Sequence, residues 1–403
     1  MDWKPGKPAY AGVDTHKDTN ALALVDALGR VVGTWEFPTG AAGYAMLEEA
    51  IGDPSVPVGI EGTRSYGAGL AEHLSARGYE VLEVIRPRRE QRRRGKSDPQ
   101  DAIAAARNVA AGRGLAPKAL SGAAADIASL LVAREGYVRW MTATSNRIDA
   151  MLVTAPEGAR SRHAGQSGER RIRAIAATRP KDACRRALRM MARDWLEAKA
   201  RADELEAEIA RLVRESFPAL AGALGVGPIV AARLIAAAGS NPGRAGGEAA
   251  FSMLCGTSPL PASSGKTGGR HRLNRGGDRQ ANRAIHEIAR VRMACDERTR
   301  RYIERKMSEG KTKKEAVRCL CRYIAREVYR LLTGPQEPLP EPGALAAGRR
   351  AAGLTQADVA AELGVAPGKI SRLELGRAID ARLMRAYRSF LDELAAKPAQ
   401  SPY

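Results

Sequence analysis

Tyr10-Ala11-Gly12-Val13-Asp14-Thr15-His16-Lys17-Asp18 decides how the first hundred residues are read. An apolar run that stops at a carboxylate is the pattern of a buried strand whose end delivers an acid. The segments around it follow suit: Tyr10–Asp14 predicts one strand, Ala21–Val25 a second and Arg30–Phe37 a third, joined by short polar connections. The period then alternates. Ala41–Glu49 predicts a helix, Val56–Ile60 a buried strand, Tyr66–Arg77 a helix, Glu80–Ile85 a strand and Pro99–Val109 a helix. Three antiparallel strands feeding alternating helices and strands imply an α/β sheet covered by helices over residues 9–115.

The chain of 403 residues can support several domains, and its 44% apolar and 27% charged composition excludes disorder as the main theme. Lys and Arg number 65 against 45 Asp and Glu, a formal charge of +20 carried mostly by arginine, so the expected partner is a polyanion, nucleic acid before membrane. Cys184, Cys255, Cys295, Cys319 and Cys321 form no CxxC pair, which argues against a zinc site or disulfide framework and for a reducing cytoplasm. No apolar run reaches membrane-spanning length, and Met1–Tyr10 lacks the core of a signal peptide, so neither export nor a membrane location is expected.

Residues 121–217 read as almost entirely helical. Ile127–Leu152 predicts one arm, and Leu188, Met191, Trp195, Ala198, Ala202, Leu205, Ile209 and Leu212 give the second a spacing of three and four. That pattern fits either a plain helical-bundle core or helices that join subunits. Thr154–Pro180, rich in Gly, Arg, Ser and Pro, reads as a partly mobile turn between the arms. Residues 218–332 form a mainly helical unit interrupted by a basic glycine-rich loop, residues 333–343 (TGPQEPLPEPG) a linker, and residues 344–396 a small all-helical domain.

Three groups of residues carry chemistry. Asp14 and Glu61 each follow a hydrophobic strand, and Asp98 and Asp101 stand three apart at a helix start, with Asp98-Pro99 fitting an N-cap. Converging carboxylates need a compensating cation such as Mg²⁺, which also polarises a phosphodiester; turn and capping roles for the same acids are the alternative. Gly225-Val226-Gly227-Pro228 before an apolar helix suits either phosphate contact through backbone N–H groups or a tight packing turn. Ser263-Ser264-Gly265 lies on a loop with Lys266, Arg270, His271, Arg272, Arg275 and Arg279, a density suited to phosphates, although a serine on a glycine-rich loop also suits a plain turn. The basic run Arg86–Lys96 fits either a solvated surface loop or a guide for a nucleic-acid backbone toward the acids, the second being favoured beside a metal site. Aromatic residues are only 4% of the chain and do not interleave these runs, so no stacking platform for single strands is expected.

GVDTHKD (Gly12–Asp18), EGTRSYG (Glu61–Gly67) and KSDPQDA (Lys96–Ala102) resemble, in order, the motifs of the IS110-type transposases. That resemblance implies a ribonuclease H-like, RuvC-like N-terminal fold with a DEDD quartet at Asp14, Glu61, Asp98 and Asp101, holding Mg²⁺ or Mn²⁺. It spans roughly residues 9–332 and includes the serine stretch, which implies Ser264, with Ser263 beside it, as the nucleophile of a covalent phosphoserine intermediate. It further implies double-stranded DNA substrates, a structured guide RNA encoded with the element, and dimers assembling to a tetramer in a nucleoid-associated, cytoplasmic setting. Ala352–Gly376 resembles an Xre/Cro-type helix-turn-helix, with Leu363-Gly364-Val365 at the turn and Lys369 and Arg372 presented to DNA; Gly368 departs from its usual Ser or Thr. The competing functions are a RuvC-like Holliday-junction endonuclease acting by hydrolysis and a non-catalytic DNA-binding regulator.

Overall fold

The structure, a computed structural model, describes residues 7–63, 65–84, 98–112, 116–261, 271–272, 274, 276–376 and 379–396, with Asp98, Pro261, His271 and Arg272 described by backbone alone. The described residues divide into two compact units, one holding those within 1–120, 238–254 and 262–276, the other those within 121–237, 255–261 and 277–403.

The first unit is built on a five-stranded sheet in the order β3-β2-β1-β4-β5. β1 (Tyr10–Thr15), β2 (Thr19–Val25) and β3 (Val31–Pro38) run antiparallel, while β4 (Val58–Ile60) and β5 (Val81–Glu83) continue it in parallel. The connections are α1 (Ala41–Ile51), α2 (Ala68–Ala76) and α3 (Asp98–Ala110). Strand alternation divides the labour between the faces. Ala11, Val13, Val58 and Ile60 pack with Leu47, Ile51, Leu70 and Leu74 of α1 and α2 in one core. On the opposite face α3 rests on alanines, Ala102 against Ala21 and Ala23, and on Val84 through Ala105 and Val109. The helix expected over Tyr66–Arg77 starts at Ala68 instead, because Gly62, at φ +74°, and Gly67 close the preceding turn, both of their N–H or C=O groups meeting in a Gly67 N–H bond to the Gly62 carbonyl at 3.2 Å.

The second unit opens with a helical hairpin. α4 (Gly122–Thr154) lies against α7 (Ala183–Ser216), whose start is capped by the Asp182 carboxylate accepting from the Arg185 N–H. Leu188, Trp195, Ala198, Ala202 and Ile209 are buried as their spacing requires, but Ala192 and Val213 take the buried places expected for Met191 and Leu212, and Leu205 is only half-buried. Leu188, Trp195, Ala202 and Ile209 stand seven apart, so the α7 stripe keeps a heptad period, with Ala192 and Val213 each one residue beyond the position expected for the second row. The Trp195 indole N–H donates to the Met141 carbonyl at 3.1 Å across the hairpin. Residues 154–180, expected as a mobile turn, instead carry α5 (Glu157–His163) and α6 (Gly168–Ala176). Their polar composition hid an amphipathic face: Ile172 and Ile175 are buried with Ile148, Leu188 and Trp195.

α8 (Pro218–Ala221), α9 (Pro228–Ala238), a 3₁₀ turn over Pro242–Ala245 and α10 (Glu248–Leu254) lead to two short strands, Leu260–Pro261 and His271–Arg272. α11 (Arg279–Cys295), α12 (Glu297–Ser308) and α13 (Lys313–Thr333) follow, each N-capped in turn by Asp278, Asp296 and Thr312. The proline-rich stretch between Thr333 and Pro342 is helix-free as expected, yet it is anchored, since Leu339 is buried and the Gln336 amide donates to the carbonyls of Leu331 and Gly334. α14 (Pro342–Ala351), α15 (Gln356–Glu362), α16 (Pro367–Glu374) and α17 (Ala381–Ala396) enclose the last core around Leu345, Val359, Ile370, Leu373, Met384 and Tyr387. Within it Glu374 accepts from Arg349 at 2.7 and 3.0 Å, from Gln356 at 2.8 Å and from the Tyr387 hydroxyl at 2.7 Å. Burial acts to raise the Glu374 carboxyl, and the hydrogen bonds from Arg349, Tyr387 and Gln356 outweigh it, holding it below the usual range.

Candidate active site

Two glycines make the site possible. A Cβ on Gly12 would stand 2.2 Å from the Ala106 nitrogen and 2.3 Å from the Ala102 carbonyl oxygen, and one on Gly59 would meet the Val109 and Val84 side chains at 2.5 and 2.8 Å. Both face α3, which can lie this close to β1 and β4 only where no side chain intervenes. Two residues further along each strand the same face is reached again, at Asp14 on β1 and, one step beyond β4, at Glu61. Val13 pairs with Ile60 in the parallel register, so Asp14 and Glu61 are the next pair, at the carboxyl ends of adjacent strands. Crevices at those ends are the usual binding sites of open α/β sheets.

Asp14 is buried, with 3% of its surface exposed, and its Oδ2 lies 3.2 Å from His16 Nε2. The Glu61 N–H donates to the Val13 carbonyl at 3.2 Å, and the Thr15 hydroxyl donates to the Glu61 carbonyl at 2.9 Å. These bonds fix the backbone that carries Glu61 to the strand that carries Asp14. Thr63, in the turn after Glu61, is buried with its hydroxyl lacking a hydrogen-bond partner among the described residues. Asp98 and Asp101 occupy the first turn of α3, just before the residues that cover Gly12, and the Asp101 side chain is half-buried. The Asp98 side chain lies outside the described residues. Among those described, no three His, Cys, Asp or Glu side chains come close enough together to hold a metal. The donor set still has the chemistry of a hard-cation site, with one buried carboxylate and a second half-buried one on neighbouring strands.

Neither His16 nor the two glycines was assigned a role from the sequence. His16 was visible only as part of a motif, two residues past Asp14, and its contact needed the strand to end there. Gly12 and Gly59 each precede the acid by two positions, a repeat that pointed to the α3 face.

The Ser263 and Ser264 positions, with Lys266, Arg270 and Arg275, lie outside the described residues, as does the basic run Arg86–Lys96. Within the same unit, the buried Arg244 side chain pairs with Glu83 at the end of β5 at 3.0 Å, and the Asn241 side chain bridges the Ala119 N–H and the Pro117 carbonyl at 2.9 Å each. Residues 238–254 are thus fastened to the unit that carries Asp14 and Glu61. In the glycine turn, Gly225 has φ +80° and backs onto the Ile288 carbonyl, so it serves packing, whereas Gly227 faces open space before α9. Lys369 does not project freely from α16, because its ammonium pairs with Asp380 at 2.9 Å; Arg372 is exposed.

A family model described as Transposase, of the DEDD IS110 type, matches residues 11–155. A second, described as Transposase IS116/IS110/IS902 family, matches residues 218–304, and a helix-turn-helix domain model matches residues 343–399. The chain has the architecture of an IS110-family transposase. Its RuvC-like unit carries Asp14 and Glu61, and its appended helix-turn-helix is α14–α17. The chain is 31% identical over 108 residues to an insertion element IS900 uncharacterized 42 kDa protein of Mycobacterium paratuberculosis, a match covering 27% of each. Among the described residues of this IS110-type chain, no helix is long and apolar enough to cross a membrane.

Proposed function

We propose that this protein is a DNA transposase that cuts and rejoins DNA at a site built from Asp14, Glu61, Asp98 and Asp101 with Ser264 as nucleophile. The observation that carries this reading is the placement of Asp14 and Glu61 on the α3 face at the ends of adjacent parallel strands, with α3 itself starting at Asp98. The four carboxylates would hold Mg²⁺ or Mn²⁺, which supplies charge neutralisation at the phosphodiester and activation of a poor hydroxyl nucleophile. Asp14 is buried at the end of β1, with His16 Nε2 3.2 Å from its Oδ2. The Ser264 Oγ attacks phosphorus, the Oγ–P bond forms as the P–O3′ bond breaks, and the serine proton is accounted for on the departing 3′ hydroxyl. The phosphoserine conserves the bond energy for rejoining, so no nucleotide cofactor is needed.

The positive charge of +20 supports duplex DNA as substrate, and a structured guide RNA is the proposed targeting partner. Homo-oligomers, dimers assembling to a tetramer, are proposed through the long hairpin, where Val132 and Trp140 of α4 are 70% and 40% exposed. The test is covalent trapping on suicide DNA substrates with Mg²⁺ and the flanking RNA. Adducts that map to Ser264 and vanish in both Ser264→Ala and Asp14→Asn support the reading. Clean hydrolysis that survives Ser264→Ala would replace it with a junction-type nuclease.

A further inference from the structure

The hairpin of α12 and α13 joins residues that the sequence keeps apart. Between Glu297 and Thr333 the chain has twelve Lys and Arg against five acids. The acids are largely spoken for: Glu327 is held by Arg292 at 2.7 Å, Glu315 belongs to the Thr312 capping box, and Glu309 takes Lys306 at 2.6 Å. On α13, Arg318, Arg322 and Arg326 are exposed at i, i+4 and i+8, which places their Cα atoms on one face at steps of about 6 Å along the axis. Arg318 and Arg322 make no ion pair among the described residues.

Tyr323 stands beside this ridge with 56% of its surface exposed. Its ring meets Tyr302 of α12 edge-on, with centroids 5.7 Å apart and planes at 81°. Behind it, the Arg305 guanidinium and Lys306 ammonium lie 5.5 and 5.9 Å from the Tyr302 centroid. The T-shaped contact braces one edge of Tyr323 while the ring stays open to solvent, an arrangement that orders an aromatic surface.

We infer that Tyr323 and the Arg318–Arg322–Arg326 ridge form a binding site for single-stranded nucleic acid, with an unpaired base stacked on Tyr323 and phosphates on the arginines. It deepens the proposed function and rests on it for biological context. A duplex needs only the ridge, since its bases are already stacked; an exposed, braced tyrosine in line with it gains contact only from a splayed base. A protein partner fits less well, because the centres of protein interfaces are depleted of charge. A lipid surface fits less well too, since the apolar face of α13, Leu320, Ile324 and Val328, is buried and only one aromatic remains to insert.

The experiment uses the full chain and fluorescein-labelled oligothymidylate and oligouridylate of about twelve nucleotides, beside a duplex of the same length. Tyr323→Ala should weaken single-strand binding about fivefold to a hundredfold and leave duplex binding unchanged, and Tyr323→Phe should restore it. The thymidylate and uridylate arms tell DNA from RNA, and tight binding of either with that mutational pattern supports the site. Unchanged affinity in Tyr323→Ala, an equal loss on duplex, or a change in self-association by light scattering in place of oligonucleotide binding would overturn it. Asp14→Asn separates the two readings, because it should abolish covalent adducts while retaining single-strand affinity. Adducts without single-strand binding defeat this inference alone, and single-strand binding without adducts defeats only the proposed chemistry.

Discussion

At the scale of single residues, Gly12 is the position that most constrains the site. Its absent Cβ would collide with backbone atoms of α3, which cannot rotate away as a side chain could. Gly12→Ala should push α3 off β1, costing about 1–3 kcal/mol or more of stability in urea unfolding and lowering adduct yield with it. Asp14→Asn is expected to act differently, leaving the unfolding midpoint nearly intact while adduct formation falls by roughly a hundredfold or more in single-turnover gels. Glu374 offers a test in pH. Its folded carboxyl is held below its unfolded value of about 4.3, so its contribution is fully present above that pH and is lost as pH falls through the lower folded value. Hydrogen exchange should therefore show α14–α17 opening below about pH 4. Glu374→Gln should remove that acid sensitivity and, by leaving Arg349 buried without its counter-charge, cost about 3–5 kcal/mol at neutral pH.

Among the elements, the α4–α7 hairpin is fastened by one large side chain. Trp195 fills the space between Ile148, Ile172 and Leu188 and also satisfies the Met141 carbonyl. Trp195→Ala should cost about 3–5 kcal/mol and loosen α6, whose Ile172 and Ile175 pack on the same cluster, seen as faster amide exchange over residues 168–176. At several helix starts, Asp278, Thr312 with Glu315, and Thr355 with Asp358, side-chain acceptors close the first turn; the helices they open were legible from the sequence. The helix over residues 168–176 was not, because three arginines and a glycine obscured a face that only Ile172 and Ile175 define.

For the molecule as a whole, the excess of arginine predicts that duplex affinity is mainly electrostatic. Its logarithm should fall linearly with the logarithm of salt, with a slope of about −0.9 per phosphate neutralised, and this is checked by a salt titration of anisotropy. Substituting Ala for exposed Arg372 on α16 should make that slope shallower by about one if the helix-turn-helix contacts the same DNA. Lys369, held by Asp380, should contribute less than its position on α16 suggests.

The sequence alone determined the succession of strands and helices in the α/β unit, because buried apolar runs ending at Asp14 and Glu61 alternate with helical periods; the order of the strands in the sheet came from the structure. The helix-turn-helix was legible through the resemblance of residues 352–376 to a known motif, whereas spacing alone left the carboxylates open between a cation site and turn or capping roles. Only the tertiary structure decided that Gly12 and Gly59 let α3 approach, that His16 meets Asp14, and that Tyr302 and Tyr323 join across two helices. Those relations depend on which faces of distant elements come into contact, and side-chain spacing within one element carries no record of that.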